Sequence, residues 1–101
     1  MEVVLALRII DTWAAQLQQP IKIDYRDFNL LAGEVREIDA ADDVYVVEYA
    51  DVGLRIESDL GYYDLENDLL NENQHRHGGM IRITNRLTKP RNISFIVGIA
   101  R

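Results

Sequence analysis

A chain of 101 residues, 48% hydrophobic and 28% charged, has the length of one domain and the composition of an ordinary globular fold. It has no cysteine, which excludes a disulfide framework and structural zinc of the usual thiolate kind. The net charge of −6 is unevenly laid out: residues 34–72 carry thirteen acids against Arg36 and Arg55, and residues 73–101 carry six bases and no acid, an asymmetry that speaks to partners rather than to fold.

The first residues, Met1-Glu2-Val3-Val4-Leu5-Ala6-Leu7-Arg8, start acidic and reach a base early. That is unlike a signal peptide, and no segment approaches the roughly 20 apolar residues of a membrane span. The expectation is a cytoplasmic protein without a membrane role. Residues 2–18 read as one amphipathic helix. Val3, Leu7, Ile10, Ala14 and Leu17 recur at spacings of three and four, with Ala6 and Trp13 beside them, and Pro20 bars continuation.

After Pro20 the period becomes two. Ile21, Ile23 and Tyr25 alternate with Lys22, Asp24 and Arg26 as a half-buried strand, and Asp27-Phe28-Asn29 is expected to turn. Residues 30–38 predict a second strand with Gly33 at a bend. After the loop Ala40-Ala41-Asp42-Asp43, Val44 to Tyr49 is the strongest strand signal, rich in β-branched and aromatic residues. Leu54 to Glu57 follows a tight connection, and Ser58 to Gly61 turns. Residues 62–72 suit a strand or a short helix, and Asn73 to Gly79 is a polar loop. Met80 to Asn85 and Ile93 to Ile99 are further strands, the last apolar enough to be central. The order predicts an α+β domain: an N-terminal helix packed on a strongly bent antiparallel sheet or small SH3-like barrel of five to six short strands.

If 34–38, 44–49 and 54–57 run as an up-down-up meander, loop 39–43 and turn 58–61 share one end. Asp39, Asp42 and Asp43 then face Glu57 and Asp59 across a rim with no base in either loop. Crowded carboxylates repel unless a cation or open solvent relieves them. Calcium suits such loops, because it takes six to eight oxygen ligands in flexible geometry. The bland alternative is a solvated acidic face. Asp64, Glu66 and Asp68, with Glu72 beyond, form a second cluster in either a helix or a strand. Asp64-x-Glu66-x-Asp68 starts like an EF-hand loop, but the sixth position is Leu69 and the twelfth is His75, so that motif is excluded.

His75 and His77 are two imidazoles with no clear third ligand, and read as part of an exposed polar loop. Ser58 and Ser94 lack a nucleophile-elbow context, and Gly78-Gly79 lacks the ending of a phosphate loop, so no enzyme is expected. Arg82 and Arg86 fit a solvent face that partly offsets the acidic rim, and the bases of the last third do not predict nucleic-acid binding beside so many carboxylates.

The stretch Arg36 to Tyr45, with the acids from Asp59 to Glu72, resembles a family: the small acidic calcium-binding protein of filamentous cyanobacteria linked to heterocyst differentiation. The resemblance rests on size, acidity and the lack of an EF-hand across the whole chain. It implies a cytoplasmic protein that sequesters and releases calcium. Two functions are therefore expected in competition. One is a non-EF-hand calcium buffer holding one or two ions at Asp39, Asp42, Asp43, Glu57 and Asp59 and at Asp64, Glu66 and Asp68. The other is an acidic interaction module, such as an immunity or inhibitor protein, for a basic protein partner.

Overall fold

The helical period and the block at Pro20 produce helix α1, Val3–Leu17. In this computed structural model residues 3–18, 20–59, 61–65 and 76–100 are described. The helix closes on Gln18, which donates its N–H to the Ala14 carbonyl at 3.0 Å and then turns the chain out of the helix with a left-handed backbone (φ 55°). Ala6, Ile9, Ile10 and Trp13 are the residues it buries, while Leu17 is 40% exposed. Leu7 and Ala14 of the expected seam are partly buried against the same cluster, so among the described side chains the stripe departs from expectation at Ile9 and Leu17. The helix packs closely on a facing glycine: a Cβ at Gly98 would stand 2.8 Å from Ile10 and 2.9 Å from Trp13. The helix turns its bulkiest side chain into the space that Gly98 leaves open.

Eight strands follow among the described residues: β1 Ile21–Leu30, β2 Val35–Asp39, β3 Val44–Ala50, β4 Leu54–Ser58, β5 Gly61–Leu65, β6 Arg76–His77, β7 Met80–Asn85 and β8 Arg91–Ala100. The chain is α+β as expected. The finer expectation, a bent single sheet or SH3-like barrel of five to six strands, is not confirmed: the described strands number eight and fall in two sheets. There are two four-stranded antiparallel sheets, ordered β1-β8-β3-β6 and β2-β7-β4-β5, and neither closes. The expected meander is corrected too: β2, β3 and β4 are not neighbours, because β3 lies in the first sheet and the other two in the second. Nor does the chain turn at Asp27-Phe28-Asn29, where β1 runs straight through to Leu30 in an unbroken register with β8.

Alternation explains the layering. Tyr45, Val47, Ile93, Phe95 and Val97 point from the first sheet towards Leu54, Ile56, Ile81 and Ile83 of the second. These side chains form the core between the sheets, with Phe95 edge-on to Tyr45 at 5.3 Å and to Phe28 at 5.9 Å. Val44, Val46 and Ile96 point the other way and receive α1. The order of layers is helix, sheet, sheet. Each fully buried aliphatic contributes about 1.5–3 kcal/mol, and β8, buried on both faces, takes the central place its apolar run predicts.

Except for the β4–β5 hairpin, each described connection crosses from one sheet to the other. Loops therefore collect at two ends. One end holds 40–43, 58–59 and 78–79, tied by the Ala40 N–H to Gly79 carbonyl bond at 2.8 Å. The other holds 31–34, 51–53 and 86–90, tied by Arg86 N–H to Gly53 carbonyl and Asn85 N–H to Glu34 carbonyl. Among the described residues no helix is long and apolar enough to cross a membrane.

Candidate functional site

The expected sharing of one end by loops 39–43 and 58–61 has a physical basis different from the meander. β2 and β4 run side by side in direction, with antiparallel β7 between them, so Asp39 and Ser58 finish on either side of Met80 and Gly79. Gly79 has φ +69°, and a Cβ there would run into the Asp59 carboxylate. Asp59 thus lies over β7's first turn, with the 39–43 loop bonded to its other side.

The acids at this end do not converge. Asp39 turns back to accept the Ala41 N–H at 2.9 Å, which holds Ala41 in a left-handed conformation (φ 51°). Asp43 reaches the first sheet and accepts the Ala100 N–H at 3.0 Å. Asp42 is exposed on the loop. Glu57 stands on the outer face of the second sheet, in register with Arg82 on β7 and Tyr62 on β5. Among the described residues no group of three or more His, Asp or Glu side chains is arranged to hold a metal ion. Of the second cluster, Asp64 lies towards the other end, and Glu66 and Asp68 fall outside the described residues.

Asp64 is matched by bases. Arg55 donates to it at 2.8 Å and Arg86 at 3.3 Å. The Arg55 hydrogen bond holds its carboxyl below the usual range, with the charge of Arg86 adding to the effect. Glu34 is likewise lowered, first by the Leu31 N–H and then by Arg36 at 2.5 Å. Asp51 accepts the Tyr49 hydroxyl at 2.5 Å and the Asn92 N–H at 2.8 Å, and both lower its pKa. On the outer sheet face Arg82 pairs with Glu37 at 3.5 Å. Arg82 and Arg86 thus sit on solvent faces, but the acids they pair with, Glu37 and Asp64, are not those of the expected rim. Exposed pairs of this kind contribute about 0–1 kcal/mol each.

Read in space, the charge asymmetry becomes a separation between ends. At the 31–34/51–53/86–90 end, Arg86, Lys89 and Arg91 gather, and the acids Glu34, Asp51 and Asp64 are each bonded. At the opposite end the loop residues 40–43, 58–59 and 78–79 include no base. Among the described residues no ion pair joins Asp39, Asp42, Asp43 or Asp59 to a base; Lys22 and Arg76 stand on the strands that lead there.

Two features escaped the sequence. His77, expected in an exposed loop, is fully buried: it pairs with Tyr45 on β3, so its ring shares Tyr45's inward face. There its Nδ1 shares a hydrogen bond with Ser58 Oγ at 2.7 Å, and its ring meets Tyr63 edge-on at 6.0 Å. The bond ties β6 to the second sheet. Nineteen residues of separation carry no local pattern that announces it. His75 lies outside the described residues. The second feature is a β-bulge in β3, taken up below.

Comparison with protein-family models, with curated proteins and with solved structures found no match.

Proposed function

We propose that this protein is a non-catalytic binding module whose acidic end, built from Asp39, Asp42 and Asp59 with Asp43 behind them, docks a basic protein partner. What supports the reading is the separation of charge: four carboxylates at one end with no described ion pair, and the bases gathered at the other. Exposed carboxylates spread over two loops steer a cationic surface without needing to converge on one point.

Calcium is the second reading, and one observation favours it: Asp59 and the 39–43 loop flank the same glycine, Gly79. A cytoplasmic calcium buffer would gather these carboxylates on binding, with Glu57, Asp64, Glu66 and Asp68 as the further ligands named from the sequence. Ligand excess distinguishes the two. Calcium at a hundred times its Kd would stabilise the fold by about 2.7 kcal/mol and raise the Tm.

The test compares the wild-type chain with the triple variant Asp39→Asn, Asp42→Asn, Asp59→Asn. A poly-lysine peptide should bind the wild type, weaken steeply as salt shortens the screening length below about 10 Å, and bind the variant poorly. A calcium-induced rise in Tm that the variant loses would favour the second reading. Equal binding of peptide and calcium by both chains would overturn both.

A further inference from the structure

The bulge in β3 lies between Val47, opposite Phe95, and Tyr49, opposite Ser94, so Glu48 is the extra residue. Strict alternation would send Tyr49 inward with Tyr45 and Val47. The extra residue reverses the parity and brings Tyr49 out on the face that carries α1. Bulges of this kind re-aim side chains, and here the re-aimed ring joins a set. Asp27 on β1 is opposite Ser94 on β8, in the same rung as Tyr49. In the next rung Asn29 donates to Asn92 at 2.7 Å.

The helix covers this face at Val44, Val46 and Ile96 but not here. Asp27, Asn29, Tyr49, Asn92 and Ser94 line an open cavity of about 450 Å³, the size of a small-molecule site. Tyr49 is 51% exposed yet fixed in place, because its hydroxyl donates to Asp51, whose other oxygen accepts the Asn92 N–H. The aromatic wall is preorganised by the same carboxylate that holds the strand beside it.

The lining selects a ligand chemistry. It offers one carboxylate from Asp27, one hydroxyl from Ser94, an amide donor from Asn92 and an amide acceptor from Asn29, all beside an aromatic ring. An anion is repelled by Asp27 and Asp51. A purely apolar ligand strands the polar groups. A simple cation uses Asp27 and Tyr49 but gives nothing to the Asn92 amide. A neutral sugar ring has one apolar C–H face for Tyr49 and a fringe of hydroxyls that both donate and accept. We propose that this cavity is a carbohydrate site that takes a pyranose residue against Tyr49, with Asp27 and the Asn29–Asn92 pair holding its hydroxyls. Tyr25, 59% exposed and two residues from Asp27 on the same face, stands roughly 10 Å across from β3 and extends the site to a neighbouring sugar.

The experiment is an amide NMR titration of the whole chain with methyl glycosides of glucose, galactose and mannose, with N-acetylglucosamine, and with short glucose oligomers. At least one should shift the amides of residues 27–29, 49–51 and 92–94. Tyr49→Leu, which keeps bulk and removes the ring, should weaken that sugar about tenfold. Asp27→Asn should weaken it as well, and serves alone if the leucine variant does not fold. The triple variant of the acidic end should bind the sugar unchanged, which separates this site from the proposed docking end. No shift in these amides with any of the sugars would overturn the proposal. So would undiminished binding by Asp27→Asn, or a stronger response of the same amides to an N-acetylated, amidated lysine.

Discussion

Asn85 is the sharpest test of how this fold is held. Its side chain is 1% exposed. The two hydrogens on its Nδ2 are shared among the carbonyls of Leu30, Leu31 and Lys89, at 3.1, 3.0 and 2.8 Å from the nitrogen, and its Oδ1 accepts the Leu87 N–H at 3.0 Å. One amide thereby satisfies backbone groups of two crossover loops, 31–34 and 86–90, that join opposite sheets. Asn85→Leu keeps the approximate volume and removes the bonds made by both donor hydrogens and the acceptor oxygen. Each bond is worth about 1 kcal/mol net, and buried carbonyls left unpaired cost about 1–3 kcal/mol each. Leucine recovers part of this by adding apolar surface to the core. The expected net loss is about 3 kcal/mol. For a domain of this length that lowers the Tm by about 12–24 °C at roughly 4–8 °C per kcal/mol. Denaturant unfolding with an unchanged m-value is the assay, since the change acts on the native state. A loss below about 1 kcal/mol would refute the reasoning, and would mean that the two loops hold their crossings without this amide.

Gly98→Ala should push α1 off the first sheet, because the new methyl meets Ile10, Trp13 and Val44 within 3.1 Å. We expect a loss of about 1–3 kcal/mol and a red shift in the fluorescence of Trp13, the only tryptophan. Asp43→Ala removes the bond to the Ala100 N–H and should cost about 1 kcal/mol, with faster amide exchange at Ala100. Asp24, Glu34, Asp51 and Asp64 all have carboxyls held below their ordinary range in the fold. A depressed native pKa adds stability above the unfolded value and loses it as pH falls through the native one. Stability should therefore be level above about pH 5 and decline below about pH 4. Arg55→Met should raise the Asp64 pKa measured by NMR, since its hydrogen bond to Arg55 is the largest cause of the depression.

Charge layout was half legible. Counting acids located the negative end, since Asp39, Asp42, Asp43 and Asp59 do lie there. The count did not separate them from Glu34, Asp51 and Asp64, which are just as close in sequence but end beside Arg36, the Tyr49 hydroxyl, and Arg55 with Arg86. Which acid meets a base depends on cross-strand partners such as Arg55 and Asp64, and register is a property of pairing. The Tyr49 cavity was invisible for a similar reason: a bulge exists only relative to a partner strand.

The sequence by itself determined α1, the first half of β1, and strands β3, β4, β7 and β8. Helical spacing set α1 and Pro20 ended it; β-branched and aromatic runs set β3, β7 and the central β8; and alternation told which residues face inward, up to the bulge before Tyr49. All of these are local consequences of backbone geometry, with periods of 3.6 and 2. Only the tertiary structure decided which strands meet. Alternation says that Val44 and Tyr45 face opposite ways, but not which sheet lies on either side. With nearly every described connection crossing between sheets, the partner of a strand lies far along the chain, as Ile21 finds Ala100 and Val35 finds Thr84. Those long-range pairings placed the carboxylates at one end and Tyr49 on the open face, because buried apolar surface, and not nearness in sequence, is what chooses among the possible sheets.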